Sequence, residues 1–176
     1  MKHASRFMPR YEPGKANKPF LIGFSAIALA VVLFQPWYLV VIAGIALLII
    51  VWSAIEQPKV EKHFINLSKD RTGLSICEFA REFDPKIVDT WIIRAVYEQL
   101  QAALPTKQLV PIKASDTLVE TLLLDEDDLE LDLVEEIAQR TGRSLEGYEN
   151  NPYYGKVTTA QNLVLFFNNQ ARAAAT

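Results

Sequence analysis

Cysteine and histidine are scarce in this sequence, and their scarcity excludes several kinds of functional site. There are one cysteine, Cys77, and two histidines in 176 residues. A single cysteine cannot form an internal disulfide, which agrees with a reducing compartment, and we expect Cys77 to be a small packing residue. His63 has no histidine or cysteine near it at metal-ligand spacing, so we interpret it as a surface residue near lipid headgroups.

Other hallmarks of catalytic sites are missing as well. The seven glycines form neither a phosphate-binding loop nor a nucleophile elbow. The length leaves room for one modest soluble domain and an appendage, which excludes a large multi-domain enzyme. We therefore expect no enzymatic activity, no cofactor and no metal ion.

Charged residues are absent from residues 19–55, which read PFLIGFSAIALAVVLF, then QPWY, then LVVIAGIALLIIVWSAI. The run is too long for the apolar core of a signal peptide. One straight helix through all of it would far exceed the ~30 Å hydrocarbon core of a bilayer. We predict a transmembrane helical hairpin, with helices at 19–34 and 37–55 and a turn at Gln35-Pro36. A kink at Pro36 in one long tilted helix, or a hairpin that dips into one leaflet, are the alternatives.

The charge flanking this hairpin predicts its orientation. Residues 1–18 form a basic N-terminus with one acid, Glu12, against the bases Lys2, Arg6, Arg10, Lys15 and Lys18. By the positive-inside rule this N-terminus is cytosolic, and a hairpin returns the chain to the same side. We therefore predict a multi-pass protein of the bacterial inner membrane with both termini in the cytoplasm. Small residues such as Gly23, Ala26 and Ala30 allow association through the membrane helices.

The remainder predicts short helices. Glu56-Gln57-Pro58 ends the second membrane helix, and residues 56–84 form a juxtamembrane connector in which Ser75 opens a short helix by a capping box. Asp84 caps the longest soluble helix, with Pro85 at its first position, and that helix extends to about Ala103. Residues 85–170 form the main soluble domain, and residues 171–176 a frayed tail.

Beyond Pro105 the pattern predicts an extended connector and three further helices. Ser115 or Asp116 caps a short helix to about Leu123. An acid-rich helix follows over 127–140 and ends at Gly142, and a capping box at Thr158 opens the last helix. No period-2 segment of useful length appears, so the soluble part is predicted to be all-α. Five residues are expected to form its core: Leu129, Leu133, Ile137, Leu163 and Phe167.

Residues 86–169 resemble the acyl carrier proteins. The resemblance rests on the order of four phrases, IIRAVYEQL, SDTLVETLL, DLELDLVEEIAQRTG and KVTTAQNLVLFFN. It implies a small carrier-like helical bundle. In that family a serine at the start of the second helix receives a phosphopantetheine arm, and here Asp127 or Asp128 stands at that position. Between Thr121 and Thr141 there is no Ser, Thr or Tyr. The resemblance therefore implies a fold without its prosthetic group, unless Ser115 is a displaced attachment point.

The segment 116–136 contains ten acids and no base. Acids near a helix start favour the macrodipole, but this does not account for those further along. Carrier proteins present such a face to basic patches on their partners, and charge complementarity speeds encounter and sets register. A calcium loop is excluded because Leu129 and Glu130 stand where a ligand and a glycine are needed. We predict partner binding by Asp127, Asp128, Asp132, Glu135 and Glu136.

These observations predict a membrane-anchored, non-catalytic, carrier-like module that binds a protein partner with a basic docking patch. Its acidic soluble part excludes nucleic acid as a partner. Two other functions stay open. One is a tethered acyl or peptidyl carrier modified at a non-standard residue, and the other is a structural subunit of a larger membrane complex.

Overall fold

The computed structural model describes residues 4–11, 37–124 and 133–173. Within these ranges the chain forms five α-helices and two 3-10 turns, Ser5–Phe7 and Tyr148–Asn150, and no strand. The all-α prediction is confirmed for this part of the chain. The helices are α1 (Trp37–Asp70), α2 (Ile76–Arg81), α3 (Thr90–Ala103), α4 (Val134–Thr141) and α5 (Ala160–Asn169).

The described residues belong to two compact units. One, here named the helical domain, consists of residues 4–11, 63–124 and 133–173. The other is described over residues 37–62, the first part of α1. Helix α1 is long and apolar enough to cross a membrane, and its most apolar stretch is entirely unburied. Nineteen of its residues, 37–55, carry no charge and span about 28 Å, close to the thickness of a bilayer core.

The predicted hairpin is only partly within the described residues. Its second helix coincides with the start of α1, where the Trp37 and Tyr38 rings stack at 4.6 Å. Its first helix, at 19–34, and the turn at Gln35-Pro36 lie outside the described residues. The structure therefore gives one helix that could cross a membrane among the residues it describes.

Pro58 does not end the predicted membrane helix, so that prediction is wrong. Helix α1 continues past it for twelve residues to Asp70. A proline inside a helix removes one backbone hydrogen bond and costs about 3 kcal/mol. Packing offsets this cost, because the continuing helix brings Phe64 into the domain core, where its side chain is 0% exposed. The helix therefore continues through Pro58 because of a tertiary contact, which the sequence near Pro58 does not reveal.

Helix α3 is the centre of the helical domain. It packs against α2, α4, α5 and the Ser5–Phe7 turn. Its buried face consists of Ile92, Ile93, Ala95, Val96, Gln99 and Leu100. The domain core therefore surrounds this helix.

The predicted end of α3 is confirmed at Ala103, but its predicted start is wrong. The N-cap is Asp89, whose Oδ1 accepts a hydrogen bond from the Trp91 N–H at 2.9 Å. Asp84 closes a separate turn, because its carbonyl accepts from the N–H groups of Ile87 and Val88. Asn168 of α5 accepts a hydrogen bond from the Asp89 N–H at 3.1 Å. This bond holds Asp89, the N-cap of α3, in place.

Residues 104–118, here named the connector, form no helix, and they include the segment from Lys107 to Ala114 that the sequence pattern predicts to be extended. From Val110 to Leu118 burial alternates, and Val110, Ile112, Ala114 and Leu118 are buried in the core. The predicted short helix from Ser115 or Asp116 is wrong, because the side chain of Asp116 is engaged elsewhere. The Leu118 N–H donates to the Thr158 carbonyl at 3.0 Å instead of forming a helix.

Four predicted core residues, Leu133, Ile137, Leu163 and Phe167, are confirmed as buried, and Leu129 lies outside the described residues. Gly142 ends α4 as predicted, in the left-handed conformation at φ +63° that favours glycine.

The predicted caps have mixed outcomes. Ser75 caps α2 by a capping box, as predicted. The cap of α5 is one residue later than predicted, since Thr159 accepts from the Asn162 N–H at 3.2 Å. Cys77 is exposed on α2 and is not a packing residue, because it occupies the outer face of that short helix.

Candidate protein-binding surface and the polar networks behind it

The five predicted partner-binding residues have different positions in the structure. Asp127, Asp128 and Asp132 lie outside the described residues. Glu135 and Glu136 form the first turn of α4. Glu135 is exposed, whereas Glu136 is half-buried and accepts a hydrogen bond from the Gln99 side chain of α3. Two adjacent acids therefore have different roles, and of the two only Glu135 is open to a partner.

Arg140 lies at the centre of the network that holds Glu136. Its side chain is 3% exposed. Its Nη1 donates to Oε1 of Gln99 at 2.7 Å, and its Nη2 donates to the carboxylate of Glu98. Its Nε donates to the carbonyl of Pro9 at 3.2 Å. Every side of this guanidinium is thus used inside the helical domain.

Glu98 joins two arginines within this network. It accepts from Arg140 of α4 and from Arg94 of its own helix, the latter at 2.8 Å. Burial alone would raise the pKa of Glu98, but the hydrogen bonds and charges of the two arginines outweigh burial and lower it. Glu98 therefore stays ionised and keeps its partners. The sequence shows Arg140 only as a base next to an acidic block, and nothing in the local pattern identifies it as buried.

A second network fastens the end of α1 to the connector. Arg71 and Asp116 form a two-pronged ion pair, with both N–O distances at 2.6 Å. Their side chains are 9% and 4% exposed. Arg71 also donates to the carbonyl of Pro111 at 2.8 Å, and Asp116 accepts from the Lys113 N–H at 2.8 Å. Paired geometry with further hydrogen bonds is what makes a buried ion pair tolerable.

The same connector receives polar contacts from other helices. Glu82, at the end of α2, accepts from the Ala114 N–H at 3.3 Å, and Gln101 of α3 donates to the Val110 carbonyl. The N-terminus of α5 donates to the carbonyls of Ala114 and Asp116. Thus the backbone groups of an extended, partly buried segment find partners without a sheet. Asp116, counted by sequence with the acidic block, belongs to this interior set.

His63 is a structural contact and not a free surface residue. Its Nε2 lies 3.0 Å from the carbonyl oxygen of Thr121, so this nitrogen carries a proton and donates. Its ring meets the edge of Phe64 at 5.2 Å between centroids. Ser115, the other residue considered as a site, is exposed beside the buried Asp116. Within the described ranges no cluster of three or more His, Cys, Asp or Glu residues could hold a metal ion.

Asn151 holds the loop after α4 against α5. It is buried, and its Nδ2 donates to the carbonyl of Phe166 at 2.9 Å and to Oε1 of Gln170 at 2.8 Å. The loop exposes two tyrosines, Tyr148 and Tyr154, whose ring centroids lie 5.5 Å apart. These contacts order the loop on the side of the domain formed by α5.

Comparison with known proteins gives no match for this chain among protein-family models, curated proteins or solved structures. The likeness to acyl carrier proteins accordingly rests on the sequence pattern.

Proposed function

We propose that this protein is a membrane-anchored, non-catalytic, carrier-like module that binds a partner protein at the cytoplasmic face of the bacterial inner membrane. The observation that carries the proposal is the continuity of α1. The helix begins in an uncharged stretch of bilayer length and ends inside the helical domain, where Phe64 is fully buried. Whatever the helical domain binds is therefore held close to the membrane.

A contact within the helical domain supports the proposed topology of the anchor. Residues 4–11 precede the apolar stretch, and residues 63–173 follow it, yet the Pro9 carbonyl accepts from Arg140. Two segments that contact each other lie on one side of a bilayer. A chain that leaves and returns to one side crosses it an even number of times. In the proposed topology α1 supplies one crossing and residues 19–34 supply the second, with the turn at Gln35-Pro36 on the far side.

The native cysteine gives a direct test of this topology. Cys77 is exposed, so in sealed right-side-out vesicles a membrane-impermeant maleimide is expected to leave it unlabelled until the membrane is opened. In a Cys77→Ser background, Phe7→Cys is expected to behave in the same way, because Phe7 is exposed at the protein's N-terminus. Gln35→Cys in that background is expected to react from outside at once.

Two labelling patterns would contradict the proposed topology. Protection of Gln35→Cys together with Phe7→Cys would indicate a hairpin that dips into one leaflet. Labelling of Phe7→Cys from outside, with Cys77 protected, would indicate a single crossing and would contradict the proposed topology. Inverted vesicles serve as the control, since each site should there show the opposite accessibility.

The proposed docking surface consists of the acidic residues in the first turn of α4 and in the segment before it, which corresponds to the second helix of the carrier proteins. Glu135 is its described and exposed member, and Asp127, Asp128 and Asp132 extend it by sequence. Glu136 is not placed in this surface, because it accepts from Gln99 and supports α4 from within. Acidic side chains without neighbouring bases attract a basic partner and accelerate its association at low salt.

Charge reversal of this surface is expected to abolish partner binding. We would replace Asp127, Asp128, Asp132 and Glu135 with lysine and leave Glu136 intact. A partner that co-purifies in mild detergent at low salt should be lost in this variant, because attraction becomes repulsion. The measurement is the amount of that partner retained by the wild type and by the variant, each at low and at high salt.

Glu149→Lys is the matched control, since Glu149 is an exposed acid on the loop after α4. It should retain the partner at low salt. Retention by the reversed surface, or binding of the wild type that is insensitive to salt, would contradict the proposal. The intact mass of the purified protein separates the carrier alternative, since an added phosphopantetheine would indicate cargo, with the exposed Ser115 as the first residue to replace.

A further inference from the structure

The segment before the apolar stretch is docked on the helical domain. Residues 4–11, here named the N-terminal arm, place the Ser5–Phe7 turn against α3. The carbonyl of Pro9 accepts a hydrogen bond from the buried Arg140. Outward, the arm exposes Arg6 and Phe7, with the guanidinium of Arg6 4.9 Å from the ring centroid. The Pro9 carbonyl thus gives the arm a polar contact with the domain interior.

That contact is the first in a line of hydrogen bonds that ends at the proposed docking surface. The Pro9 carbonyl accepts from Nε of Arg140, and Nη1 of Arg140 donates to Oε1 of Gln99. The amide nitrogen of Gln99 then donates to Glu136. Glu136 lies in the first turn of α4, next to the exposed Glu135. The arm and the acidic turn are therefore joined through two side chains.

Each of these side chains has limited freedom. Gln99 is buried, and its single amide group links Arg140 on one side to Glu136 on the other. The side chain of Arg140 is 3% exposed while the arm is docked. Withdrawal of the arm would remove the acceptor of its Nε and admit water there, so the guanidinium would turn toward water to satisfy this donor. Gln99 would then lose the contact that orients its amide.

We propose that the N-terminal arm is a strap that fixes the first turn of α4, and hence the proposed docking surface, through Arg140 and Gln99. This deepens the proposed function and rests on it for the role of that surface. With the strap in place, Glu136 is held inward and Glu135 outward. With the strap released, the turn opens and the acidic side chains lose their fixed arrangement.

The arm contributes no buried residue to the helical domain. Within residues 4–11, Ser5, Met8 and Tyr11 are half-buried and the others are exposed. A hydrogen bond from a charged donor is a modest contribution to stability. Release of the arm therefore leaves the domain core intact.

Deletion of residues 2–9 tests the strap in the full-length protein. The deletion removes Lys2 and Arg6 and keeps Arg10, Lys15 and Lys18, so three of the five bases before the apolar stretch are retained. Amide hydrogen exchange is measured in detergent on peptides covering Val134–Thr141 and Ala160–Asn169. We expect exchange in α4 to become about tenfold faster and exchange in α5 to stay unchanged. Unchanged exchange in α4, or an equal increase in both helices, would overturn the proposal.

A double-variant cycle tests the route through Gln99. Gln99→Met keeps the length of the side chain but cannot bridge Arg140 and Glu136. This substitution is expected to speed exchange in α4 while the arm remains docked, and deletion of the arm in the Gln99→Met background should add little further. Fully additive effects would overturn the route. No partner is needed for either measurement, so failure of the strap and failure of partner binding are separately visible.

Discussion

Asp116→Ala is expected to destabilise the helical domain by about 3–5 kcal/mol, since it leaves the buried guanidinium of Arg71 without its counter-charge. Arg71 is 9% exposed, and Asp116 is the carboxylate in the connector that is bonded to Arg71. The loss also removes the acceptor for the Lys113 N–H, which orders the connector. Urea unfolding in mild detergent measures the effect, with Trp91 of α3 as the fluorescent reporter and Trp37 and Trp52 replaced by phenylalanine.

The matched control for this prediction removes both charges together. Arg71→Met with Asp116→Leu replaces the ion pair by apolar side chains of similar size. Such replacements of buried pairs are often close to neutral. We expect the double variant to recover most of the stability lost in Asp116→Ala. If the single variant loses less than about 1 kcal/mol, the pair is solvated as surface pairs are, and its structural role is refuted.

Phe64→Ala is expected to cost about 3–5 kcal/mol in the same unfolding measurement, because it removes a fully buried aromatic ring and leaves a cavity. The substitution lies within α1 but acts on the helical domain, since Phe64 belongs to the domain core. The Trp91 signal should therefore report the loss. It follows that a soluble fragment beginning after Asp70 would lack a core residue and be less stable than the intact domain.

Asn66→Ala is the control on the same helix. Asn66 is exposed two residues further on, and its loss should change the free energy of unfolding by less than about 0.5 kcal/mol. Phe64→Leu should fall between the two, because leucine fills part of the space. Equal stability of Phe64→Ala and Asn66→Ala would show that the last part of α1 does not contribute to the core.

The helices of the domain are predictable from sequence where local signals decide them. The spacing of Ile92, Val96 and Leu100 along α3 directs one face to the core, and Gly142 ends α4 by its backbone freedom. The capping box at Ser75 is complete within four residues, so its recognition needs no knowledge of the fold. These features depend on neighbours in the chain.

The features that sequence reasoning misses depend on distant partners. Pro58 is a helix breaker by local rules, and the helix beyond it is held by contacts with distant residues, among them the burial of Phe64 and the hydrogen bond of His63 to Thr121. Asp116 has the form of a cap, yet Arg71, 45 residues away, takes its side chain. The short helix predicted from Ser115 or Asp116 therefore does not form, and the connector instead contains a buried ion pair.

The candidate site shows the same limit more strongly. Glu135 and Glu136 are indistinguishable as letters, and their separation into an exposed acid and an internal acceptor depends on Gln99 of another helix. The roles of Arg140 and Pro9 could not be foreseen, because their contact joins residues 131 positions apart. The acidic composition, by contrast, is fully visible in the sequence.

The docking of the N-terminal arm also sets an order of events during synthesis. Pro9 is made before Arg140, which follows it 131 residues later. At ~5–20 residues per second the ribosome needs roughly 7–26 s to make the chain between them. During that time the apolar stretch leaves the ribosome and can enter the bilayer. The arm cannot yet dock, because Arg140 has not been made. The arm is thus made before the domain on which it docks, and it reaches its docked position only after Arg140 has left the ribosome.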